Sequence, residues 1–165
     1  MKKVWNVITT VLLVLMIAVA AVIYVPKLLG VEPMIVLSGS MEPTYHVGSL
    51  LYVKDVDPET IEVGDAITFQ LGDSVVTHRV IEINDTDRTF TTQGDANNVA
   101  DGAPVGFDQV IGRPVFNIPL LGYLANKLSS TTGKIIYITA IVVVLILMYM
   151  GDVIWSPEGK KNEES

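Results

Sequence analysis

Val75-Val76-Thr77-His78-Arg79-Val80-Ile81-Glu82-Ile83 is rich in β-branched residues and bounded by turn signals, the pattern of a strand. Side chains alternate across a strand, so His78 shares a face with Val76 and Val80 and is directed toward an apolar interior. Comparable runs occur at 34–37, 49–54, 66–70, 89–92 and 110–116. Val63-Gly64-Asp65, Leu71-Gly72-Asp73-Ser74 and Asn84-Asp85-Thr86-Asp87 separate them as turns. The expected fold is mostly β, a small antiparallel domain without internal repeats.

Outward from this domain the composition changes. Half of the 165 residues are apolar, and they are concentrated at the two ends. Residues 4–25 carry no charge and follow Met1-Lys2-Lys3. As a helix they extend about 33 Å, enough for a hydrocarbon core of about 30 Å. Ala18-Val19-Ala20 has the small-x-small form of a signal-peptide cleavage site, but the apolar run continues through Val25, longer than the ~7 to 15 residues usual for such a segment. A retained anchor is the expectation. After Lys134, residues 135–150 carry no charge, are apolar all round and read as a second span that reaches Ile154, with Trp155 as an interfacial anchor and Asp152 near the headgroups.

The expected organisation is therefore an anchor over 1–25, a β domain over 26–133, a transmembrane helix over 134–154 and a tail over 155–165. Lys2 and Lys3 precede the first span, and Lys160 and Lys161 follow the second. Both ends are thus expected in the cytoplasm, with Glu158, Glu163 and Glu164 counting little. The β domain is expected outside the cytoplasm, in a protein that crosses the cell membrane twice.

The formal charge of −7 belongs mainly to the β domain, which makes nucleic acid an unsuitable partner, since phosphate binding needs clustered Lys and Arg. There is no cysteine, so thiol catalysis and zinc-thiolate sites are excluded. No metal or cofactor is expected, because His46 and His78 lack ligand spacing. Serine or threonine remains as nucleophile. Ser38-Gly39-Ser40-Met41-Glu42-Pro43-Thr44, just after the first span, is a bent segment suited to presenting one hydroxyl.

An inward histidine such as His78 is either a core imidazole satisfied by a carbonyl or a general base, and its ordinary pKa near 6.5 suits proton transfer from serine. His46, in a turn six residues after Ser40, is the rival and reads as exposed. Gln93-Gly94-Asp95-Ala96-Asn97-Asn98-Val99-Ala100-Asp101-Gly102 is a polar loop that misses EF-hand spacing but can offer a carboxylate to orient a histidine.

Residues 38–44, Gly64-Asp65-Ala66-Ile67-Thr68, Thr77-His78-Arg79-Val80-Ile81 and Gly94-Asp95-Ala96-Asn97-Asn98 occur in the order and at roughly the intervals of type I signal peptidases. The chain resembles that family, and within it the endoplasmic-reticulum type also found in archaea and some Gram-positive bacteria, where histidine replaces the lysine base. The resemblance implies Ser40 as nucleophile, His78 as base and Asp101 as orienting carboxylate. Asp95 is the second family aspartate, and the sequence leaves open which of the two contacts the histidine. Ser38, and Met41 beside the nucleophile, fall on the oxyanion and substrate side. Gly48-Ser49 departs from the Gly-Asp of many relatives, Tyr45-His46 matches no fixed family residue, and the interval 101–134 leaves no space for the extra β domain of larger bacterial members. The implied activity is removal of signal peptides from secretory preproteins, after small residues at the first and third positions before the cut. Accessory membrane subunits are compatible with the spans. A peptidase of the same fold dedicated to one substrate class, or a membrane-anchored binding module without catalysis, would share much of this pattern.

Overall fold

The computed structural model describes residues 1–155, so Glu158, Lys160, Lys161, Glu163 and Glu164, which enter the orientation argument, lie outside the described residues. Two compact units emerge. One is Val25–Lys127, and the other combines Met1–Tyr24 with the chain from Leu128 onward.

The first unit is a seven-stranded antiparallel sheet in the order β1-β2-β7-β3-β4-β5-β6. Its strands are β1 (Val31–Ile35), β2 (Leu50–Lys54), β3 (Ala66–Leu71), β4 (Ser74–Asn84), β5 (Thr89–Gln93), β6 (Val105–Gly106) and β7 (Val110–Ile118). Strand β7 serves both halves of the sheet, pairing with β3 through Val110 and Gly112 and with β2 from Arg113 onward. A Cβ at Gly112 would collide with the Lys54 carbonyl, so this close crossing demands glycine. Pro114 is tolerated in β7 because it sits beside a register shift.

The core lies over the β3-β4-β5 half, where Ile61, Ile67, Phe69, Val80, Phe90, Val105 and Phe107 form one buried cluster. Phe90 and Phe107 stack with ring centroids 4.4 Å apart. Strand β4 follows the expected alternation only to Val80. A register shift between Val80 and Glu82 then changes its phase, so that Ile83 packs on the core instead of Glu82.

Most strands fall where the sequence places them. The first is displaced: β1 begins at Val31 and includes Pro33, which an edge strand accommodates, while Leu37 stands 82% exposed. Strand β6 and the helix α2 (Leu121–Ser129) have no counterpart in the sequence reading. Two residues are too few for a period, and α2 buries only Ala125 and Leu128 among its larger side chains.

The second unit pairs α1 (Lys2–Leu28) with α3 (Thr131–Ile154), both long and apolar enough to cross a membrane. They run antiparallel, since the Trp5 indole donates to the Leu147 carbonyl at 3.0 Å and the Tyr137 hydroxyl donates to that of Met16. Gly151 leaves the slot that the Trp5 ring fills, and Lys2 lies 3.5 Å from Asp152. Most of the apolar side chains on both helices face outward, unlike those of a soluble core helix.

Candidate active site

Three segments of the sheet unit build the site. The turn at 38–45 leaves β1, and its Met41 side chain is sunk to 2% exposure, pinning the segment that carries Ser40. Backbone bonds from Glu42 N to Gly39 O and from Tyr45 N to Met41 O close the turn. The Ser38 and Ser40 hydroxyls then stand 3.3 Å apart.

Strand β4 supplies His78, paired across from Ile67 and 8% exposed, with the Phe69 ring edge-on to the imidazole. The residues after β5 supply Asp101. Its backbone N–H donates to Thr92 O at 2.8 Å, which returns the loop to the sheet and brings the Asp101 Oδ2 within 2.6 Å of His78 Nδ1. The Thr92 hydroxyl donates to the same Oδ2 at 2.6 Å.

Asp95 is placed differently. The Arg79 guanidinium grips it through Nε to Oδ1 at 2.7 Å and Nη2 to Oδ2 at 2.6 Å, and the Thr44 hydroxyl donates to Oδ2 at 2.5 Å. Thus Asp101, and not Asp95, contacts the imidazole. Arg79 also donates to Gly64 O at 2.7 Å, while Ala96 N donates to Ser40 O at 2.9 Å. The Asp95 loop therefore ties the Ser40 turn to the strand carrying His78. Gly94 is required at this junction because a Cβ would lie 2.6 Å from Ser40 O.

Ser38, Ser40, Met41 and His78 line one cleft of 860 Å³, walled by residues 33–37 on one side and 73–77 on the other. Strand β5 pairs with β4 only from Arg79 onward, so on the side away from β3 the β4 edge at 74–78 is not covered by a strand among the described residues. His46 lies apart from this cleft lining, with Nδ1 2.5 Å from Glu42 Oε2 and its side chain 57% exposed.

Arg79 and its hydrogen bonds hold the Asp95 carboxyl below the ordinary carboxylate value, with the Thr44 hydroxyl adding to the effect against the opposing cost of burial. The same pairing raises Arg79. Burial raises the Tyr45 phenol in the cleft wall, opposed by the Arg79 charge. A depressed carboxylate stabilises the fold above its unfolded pKa, and this contribution is lost as pH falls through the folded value. Asp95→Asn is therefore expected to cost about 1–3 kcal/mol at neutral pH. The difference from the parent should narrow as pH drops below the ordinary carboxylate value of 3.8, which thermal unfolding across pH will measure.

Sequence reasoning missed Thr44, Arg79 and Thr92 as parts of this network. Thr92 had a readable signal, because it shares the inward face of β5 with Phe90 and a buried hydroxyl needs a partner. The Arg79 to Asp95 pair had none, since only the folded loop brings them together.

Comparison with known proteins identifies relatives of this chain. Over 121 residues the chain is 37% identical to signal peptidase I W of Bacillus subtilis (strain 168), covering 67% of this chain and 64% of that protein. It is 39% identical over 72 residues to the human signal peptidase complex catalytic subunit SEC11C, covering 41% of this chain and 38% of that protein. The chain thus spans less than two thirds of either relative's length. The family model described as signal peptidase, peptidase S26, matches residues 5–96, a span that contains Ser38, Ser40, Met41, His78 and Asp95, with Asp101 just beyond it. With more than half its residues inside that match, the chain belongs to the S26 signal peptidase family.

Proposed function

We propose that this chain is a membrane-bound serine endopeptidase that removes signal peptides from secretory preproteins. The observation that carries this reading is the shared cleft of Ser40 and His78, with Asp101 bonded to the imidazole from behind. With Nδ1 engaged by Asp101, Nε2 is the nitrogen left to take the Ser40 proton as Oγ attacks the scissile carbonyl. The Ser40 backbone N–H and the Ser38 hydroxyl serve the developing oxyanion. Protonated His78 then gives its proton to the leaving amine as the C–N bond breaks. Water, activated by the same imidazole, hydrolyses the acyl-Ser40 ester.

The uncovered β4 edge and the apolar wall at 33–37 suit an extended peptide. Its alternate side chains would turn toward the cleft wall, favouring small residues at the first and third positions before the cut. Helices α1 and α3 would span the bilayer, at about 40 and 36 Å by helical rise. Residues 1–25, 134–154 and 155–165 then form the anchor, second span and cytoplasmic tail, and 26–133 lie outside the cytoplasm. The pairing of Lys2 with Asp152 supports a common side for the two helix ends. Anchoring enzyme and preprotein in one bilayer raises their effective concentration. SEC11C is named for a complex, and accessory membrane subunits are part of the same proposal.

The test is incubation of the full chain in lipid vesicles with a secretory preprotein bearing a small-x-small site, followed by mass spectrometry of the mature N-terminus. Cleavage directly after the second small residue is expected, and a bulky residue at either small position should lower kcat/KM at least about tenfold. Absence of cleavage across a panel of preproteins would overturn the reading, and cleavage of one preprotein alone would favour a dedicated processing role.

A further inference from the structure

Asp101 accepts two hydrogen bonds on one oxygen, and only one comes from the imidazole. Oδ2 lies 2.6 Å from His78 Nδ1 and 2.6 Å from Thr92 Oγ1. An ionised carboxylate only accepts, so the threonine hydroxyl is the donor. We infer that Thr92 is a positioning residue for the reaction proposed above, setting the direction of the Asp101 carboxylate and through it the orientation of the His78 ring; the inference rests on that reading.

The argument is mechanical. The terminal torsion of an aspartate is broad, so a single bond to an imidazole leaves the carboxylate free to swing with the ring it should hold. Two donors converging on Oδ2 from different strands, His78 on β4 and Thr92 on β5, remove that freedom. Thr92 is suited to the task. It is fully buried at 0% exposure, its β-branched side chain is stiff, and its own carbonyl holds the Asp101 backbone N–H at 2.8 Å. Side chain and main chain of Asp101 are thereby fixed to the same residue. Valine would fill the buried space that the Thr92 hydroxyl occupies, so water cannot donate from that direction and Oδ2 loses this bond.

Two substitutions separate positioning from packing. Thr92→Val keeps the volume and removes the hydroxyl, while Thr92→Ser keeps the hydroxyl and removes a methyl group. Steady-state cleavage of a preprotein by the full chain in vesicles is expected to show kcat lowered about tenfold or more in Thr92→Val, with KM within about twofold. Thr92→Ser should retain most of kcat even though its thermal midpoint falls. A packing role predicts the opposite order, with serine the more damaged. Parental kcat in Thr92→Val, an effect confined to KM, or equal loss of kcat in the two variants would overturn the inference. Because the parent and Ser40→Ala are measured in the same assay, a parent that cuts nothing strikes the peptidase reading, whereas a parent that cuts beside an unaffected Thr92→Val strikes only this one.

Discussion

Ser40→Ala is expected to reduce kcat for preprotein cleavage by about 10⁴-fold or more while leaving the fold intact. The size follows from the role proposed for the hydroxyl: without Oγ there would be no acyl intermediate, and what remained would be binding and oxyanion stabilisation of a direct attack by water. The fold should tolerate the change because the turn is held by other groups. Met41 is buried, Ala96 N holds the Ser40 carbonyl, and the Ser40 hydroxyl contacts only the neighbouring Ser38 hydroxyl among the hydrogen bonds of this turn. The measurement is single-turnover cleavage in vesicles, with circular dichroism and thermal midpoint to establish folding. A variant that cuts at a hundredth of the parental rate or faster would remove Ser40 from the role of nucleophile. Ser38, beside it, would be the next residue to test.

His78→Ala is expected to cost about 10⁴-fold in kcat, whereas His46→Ala should remain within about twofold of the parent. The two histidines differ in every respect that matters for a base. His78 is buried, lines the cleft with Ser40 and is backed by Asp101. His46 is mainly exposed, pairs with Glu42 in its own turn and lies outside that lining. Removing the base and removing the nucleophile should also be non-additive, since the two act as one unit: Ser40→Ala with His78→Ala should be little slower than either alone. If His46→Ala were the inactive variant and His78→Ala the active one, the assignment of base would be reversed. Additive losses would instead mean that serine and histidine serve different steps.

Much of this was legible beforehand, for physical reasons that differ by element. The long central strand was readable because β-branched residues over 75–83 alternate at period two, and the inward direction of His78 followed. The two apolar helices were readable because uninterrupted hydrophobic runs have few alternatives. The phase change at Ile81 was not, since a bulge inserts one residue without altering composition. Helix α2 was too short and too mixed to show a period. Within the site, composition could nominate two aspartates but could not choose between them. That choice depends on the loop path after β5, which gives Asp95 to Arg79 and Asp101 to His78.

The uncovered edge of β4 has a cost as well as a use. If these backbone groups bind an extended preprotein segment as proposed, they would pair equally with a strand from another molecule, so residues 74–78 are also one place where two copies could zip together. The protein keeps that hazard small by geometry. Only about five residues are open before β5 takes over the pairing, too few for a durable intermolecular sheet, and Asp73 sets a negative charge at the hairpin tip where such a sheet would begin. Under the proposed function, colloidal stability and turnover therefore meet in one segment: a variant with a longer open edge would offer more bonds to a substrate and, by the same groups, more to a second copy.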